Sequence, residues 1–226
     1  MQILSNPTVG VESGRDLLWR PSLIVFISNA CIMILELVAG RLLAPNIGVS
    51  LYTWTSIIGV IFAGMSAGNY IGGRLADQHA SRRTLGLLFA LAGLGSLSVV
   101  GVAALLSRLT VFEIPGVPLP LRMMLLVALF FFLPSVILGV ITPFVVKLAV
   151  RDLRSSGNVV GRIYAASALG SIVGTFVTGY VLVFYFGVRA ILIFVGLMLI
   201  VLGALVGQWW TRRDSADAAP AQTEAA

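Results

Sequence analysis

This sequence carries little charge. Asp, Glu, Lys and Arg make up 11% of the 226 residues while apolar side chains make up 58%, and soluble domains carry roughly 25% charge. So few charges cannot cover a soluble surface. The one cysteine, Cys31, excludes an intrachain disulfide and reads as a small packing residue in an apolar run. With one histidine, His79, and no paired His, Cys or carboxylate set, the sequence offers no catalytic residues, no metal site and no cofactor loop. Basic residues outnumber acidic ones by 15 to 9, but they stand singly between apolar runs instead of forming a stripe, which argues against a nucleic-acid partner. The N-terminal segment also lacks a small-residue cleavage pattern. The first apolar run is therefore expected to remain as a span.

What the chain does have is long apolar windows and a mean hydropathy of +1.02. About 20 such residues, wound as helix, cross the roughly 30 Å of bilayer hydrocarbon. Runs bounded by charge, Pro or Gly predict six helices over 21–41, 52–73, 84–107, 121–147, 159–183 and 188–210. The fold class is therefore all-α, a polytopic six-helix transmembrane bundle in a lipid bilayer. A cytoplasmic segment, 1–20, precedes the membrane domain, 21–210, and a disordered cytoplasmic tail, 211–226, follows it. Alternating sides places Arg15, Arg20, Arg74, Arg82, Arg83, Lys147, Arg151, Arg154, Arg162, Arg212 and Arg213 on one face, against Arg41, Arg108, Arg122 and Arg189 on the other. By the positive-inside rule both termini are expected in the cytoplasm, with the inner (plasma) membrane as the location. Trp19 and the "QWW" at 208–210 read as interfacial anchors.

Four features interrupt the apolar runs. Glu36 lies about fifteen residues, roughly 22 Å, into the first helix, where a carboxylate is costly unless it meets a cation, a donor, water or a proton. Arg41 is its nearest charge partner in sequence but diverges by about 140° on the helix, so Arg122 and Arg189 from other helices are equal candidates. A structural ion pair and a cation or proton site remain open alternatives for this acid. Asn69, a polar group in an apolar setting, is expected to face the bundle interior beside it. Pro134 and Pro143 predict kinks in the fourth helix. Gly64, Gly68 and Gly72, and again Gly170, Gly174 and Thr178, recur at steps of four and predict close helix-packing seams.

The loop "GGRLADQHASRR" at 72–83 resembles the signature of the major facilitator superfamily, with Gly73, Leu75, Ala76, Asp77, Arg82 and Arg83 at matching positions. Asp77, placed before a helix, is expected to hold backbone N–H groups or a neighbouring Arg. Together with "ELVAGRLLAP" at 36–45, "LPSVILGVITPFVVKLA" at 133–149 and "VGRIYAASALGSIVGTFVTGYVL" at 160–182, the chain is similar to the membrane domain of the fused major-facilitator/spermidine synthase family. Asn46, Ile47 and Ser167 depart from that family's pattern. The resemblance implies a half-facilitator fold of two inverted three-helix repeats, with no synthase domain here, so any aminopropyl transfer would lie on another polypeptide. It also implies a polyamine-related system. Two expectations follow. One is a transporter-like module for a small cation, completed by a homodimer or a second six-helix half. The other is a membrane anchor that docks a soluble synthase-like protein on Arg74, Arg82, Arg83, Arg151, Arg154 and Arg162.

Overall fold

The computed structural model describes residues 13–106, 116–150 and 156–217. Six helices occupy them: α1 (Ser13–Ile47), α2 (Leu51–His79), α3 (Arg82–Leu106), α4 (Leu119–Ala149), α5 (Ser156–Tyr185) and α6 (Val188–Asp217). Each is long and apolar enough to cross a membrane, and no strand is present among the described residues. The chain is a multi-pass membrane helix bundle.

Most helices outrun the apolar windows that predict them, because hydrophobicity marks what sits in lipid whereas backbone hydrogen bonding and caps decide where a helix ends. α1 begins at Ser13, ahead of Pro21, and α6 continues to Asp217, so helix covers part of both segments expected outside the membrane domain. Residues 1–12 and 218–226, like Arg108, Arg151 and Arg154, lie outside the described residues. The α1–α2 corner turns on Gly48, whose φ of 74° suits a residue without Cβ. Ser50 then caps α2 by accepting the Thr53 N–H at 3.2 Å. Ser81 does the same for α3, accepting the Thr84 N–H at 3.1 Å.

The bundle is built from three close pairs: α1 on α5, α2 on α4 and α3 on α6. In two of them the small-residue seams expected from sequence make the contact. Gly68 lies against the Val136 carbonyl, and one turn on a Cβ at Gly72 would stand 2.8 Å from the Val140 Cα. Gly170 lies against the Phe26 carbonyl, and one turn on a Cβ at Gly174 would stand 2.7 Å from the Ala30 Cα. The two contacts repeat each other. Exchanging α1 with α4, α2 with α5 and α3 with α6 converts one pair into the other, and it maps α3·α6 onto itself, where Gly86 meets Gly203 and Gly93 meets Gly196. Successive spans alternate in direction, so α1–α3 and α4–α6 form an inverted repeat. The repeat also survives in sequence: "GVIFAGMSAGNYIGG" at 59–73 aligns with "GRIYAASALGSIVGT" at 161–175, sharing Gly, Ile, Ala, Gly and Gly.

α1 and α4 are the central members of their halves, each with 56% of its most apolar window buried, against 17% for α5. α4 is irregular. A π-helical turn, Ala128–Phe132, precedes Pro134, where the missing N–H and the ring disturb the upstream ladder. Through Pro143 the α geometry continues unbroken. α5 has a second π-turn, Thr178–Leu182, which opens on Thr178, a fully buried residue whose Oγ1 donates to the Gly174 carbonyl at 2.6 Å. Such back-bonding competes with the ladder and bends helices.

Candidate functional site

α1 carries three polar residues in the middle of its span. Ser28 and Asn29 are buried, and the Asn29 Nδ2 donates to the Val25 carbonyl at 3.0 Å. Glu36 lies seven residues beyond Asn29, which brings it round to nearly the same helix face. It is half-buried, and its Oε2 is buried with no hydrogen-bond partner among the described residues. The Ser28 Oγ is likewise buried and unpartnered. An apolar stretch of helix thus holds two orphaned polar atoms, each costly unless a ligand, water or proton completes it.

The face on which Glu36 sits is fixed by its neighbours. Phe26 and Ala30 turn toward α5, where Gly170 and Gly174 cover their backbone. Glu36 is rotated roughly a quarter-turn from them. One turn beyond it is Gly40, where a Cβ would stand 3.1 Å from the Trp54 indole of α2. The acid therefore rises on the α2 side of α1.

None of the charge partners expected from sequence reaches it. Arg41 and Arg189 are exposed and Arg122 is half-buried with an unpartnered Nε, and no ion pair joins any of them to Glu36. The reason for Arg41 is the helical divergence already noted; Arg122 and Arg189 begin other spans near the bundle end, whereas Glu36 sits about three turns inside the Ile47 end of α1. Asn69 also departs from expectation. It is exposed on α2, because the face one residue earlier, Gly68, is the one turned onto α4. It does not join Glu36.

The inverted repeat supplies an internal control. Aligning Phe26 with Val136 and Ala30 with Val140, as their matching glycine contacts require, places Glu36 opposite Val146 of α4. Val146 is half-buried and packed against the core. An apolar side chain satisfies this position in the other half, so packing alone does not call for an acid.

At the opposite end of the spans, the end of α2 and the turn into α3 are organised by pairing. Asp77 lies in the last turn of α2, not ahead of a helix, and accepts from the Lys147 Nζ of α4 at 2.7 Å. Sequence reasoning missed this partner because Lys147 is seventy residues away and is brought close by the α2·α4 seam. Arg74 stacks over the Tyr70 ring at 4.4 Å. Arg82 is half-buried, Arg83 is exposed, and Gly73 touches nothing that a Cβ would meet.

Set against known proteins, the chain matches no family model, no curated protein and no solved structure.

Proposed function

We propose that this chain is a transporter-like module, one six-helix half of a facilitator-type carrier, in which Glu36 binds a small cation or the proton coupled to it. The observation that carries the reading is the unpartnered carboxylate of Glu36 in mid-span, at a position where the second repeat holds Val146. An intramembrane acid with no partner among the described residues points to function by default. Ser28 and Asn29 supply further polar atoms on the same helix. The inverted repeat agrees with this reading, since carriers built this way place their binding sites at mid-membrane between repeats. A second copy of the chain completes the pathway, and a polyamine is the substrate class that the family resemblance favours.

The excess of base at the Asp77–Lys147 end supports a cytoplasmic position for that end and an inner-membrane location. A second reading, a membrane anchor for a soluble synthase-like protein, draws on the exposed Arg83 and Arg162 at the same end. Uptake of labelled spermidine into vesicles containing the purified protein separates them. Accumulation that Glu36→Gln abolishes supports the carrier. No accumulation, together with co-purification of a soluble partner lost on Arg83→Ala and Arg162→Ala, supports the anchor.

A further inference from the structure

We propose that the cavity at the α1–α2 corner binds a phosphate group, with Arg41 as its counter-charge. The cavity measures about 400 Å³ and is walled by Arg41, Ala44 and Pro45 from the end of α1 and by Val49, Thr53 and Trp54 beyond the turn. That volume falls within the range of small-molecule sites.

The walls are held in place. Gly48 at positive φ sets the turn, the Thr53 Oγ1 donates to the Gly48 carbonyl at 3.2 Å, and the Trp54 ring lies over Gly40. Arg41 is the only charge among the lining residues, and no described side chain pairs with it. The nearest acid in sequence, Glu36, points about 140° away round the helix. An unpaired guanidinium with five donors in a preformed concavity suits the oxygens of a phosphate, which it can grip in bidentate fashion.

Depth narrows the source. Span 1 ends at Pro45 and span 2 begins at Leu51, so the corner lies at the level of the headgroups. Trp54 is the amphipathic ring found there. The shared chemistry is a phosphate, carried either by a phospholipid or by a free anion.

The full-length chain in neutral detergent, with Trp19, Trp209 and Trp210 replaced by Phe, leaves Trp54 as the sole reporter. Titrating dihexanoylphosphatidylglycerol, inorganic phosphate and dihexanoylglycerol is expected to give saturable Trp54 emission changes with a phosphate-bearing probe and none with dihexanoylglycerol. Arg41→Gln should raise the apparent Kd at least tenfold, and Arg41→Lys should restore part of the affinity. Saturation by the lipid alone assigns a headgroup; equal saturation by inorganic phosphate assigns a free anion. The proposal is overturned by silence with both phosphates, by an equal response to dihexanoylglycerol, or by an unchanged Kd in Arg41→Gln. A response emerging only in Glu113→Gln would show that this acid, outside the described residues, fills the cavity, and would also overturn it.

Discussion

α1 and α4 occupy equivalent places in the two halves of the bundle and bury equal shares of their apolar windows, yet they carry different chemistry. α1 holds Ser28, Asn29 and Glu36, a polar set of which the Ser28 Oγ and Glu36 Oε2 find no partner among the described residues, on a helix with no π-turn. α4 holds Pro134, Ser135 and Pro143, a π-turn, and an apolar Val146 where its counterpart has the acid. One architecture supports both. What the fold requires is what the halves share, the glycine seams; what they do not share is available for function.

That contrast can be broken from its strongest side first. Gly68→Leu and Gly170→Leu should each destroy the bundle, since a side chain has no room against the Val136 and Phe26 carbonyls. The loss is expected to reach about 3 kcal/mol, the upper end for overpacking, read as disappearance of the monodisperse peak in size-exclusion chromatography. If only one of the two variants fails, the halves are not equivalent. Gly73→Leu, where nothing lies within contact, should keep its peak.

Ser96 donates to the Leu192 carbonyl across α3·α6 at 3.3 Å, fully buried. Ser96→Ala should cost about 1 kcal/mol, the net worth of one such bond, seen as a modest fall in Tm. Smallest is the Asp77–Lys147 pair, whose side chains are 69% and 52% exposed. Lys147→Ala should change stability by at most about 1 kcal/mol, and less in high salt. If Tm instead fell as far as in Gly68→Leu, the α2·α4 contact would rest on this ion pair and not on the seam.

Much of this architecture is readable in the sequence, because lipid demands apolar runs and close helix contact demands small residues. Six spans and the seams on α2 and α5 follow from those two rules. The α3·α6 seam was harder to see, since Gly86, Gly93, Gly196 and Gly203 recur at seven, a spacing less conspicuous than four. Glu36 stands out in any reading, but its lack of partners among the described residues depends on which helices pack together, and sequence spacing alone leaves several arginines eligible. Ser28 and Asn29 were legible only as a polar step in "FISNACIM". Asn69 misled because a polar residue beside a packing face can still turn outward.

The central claim is that Glu36 serves function and not folding. Replacing it by Val, the residue its counterpart position already uses, and by Gln tests this directly when Tm in detergent and labelled spermidine uptake in vesicles are measured on the same preparations. The account predicts wild-type uptake above empty vesicles, uptake at background in both variants, and a Tm at or above that of wild type. Normal uptake by either variant, loss of folded protein in both, or wild-type vesicles no better than empty ones would contradict it.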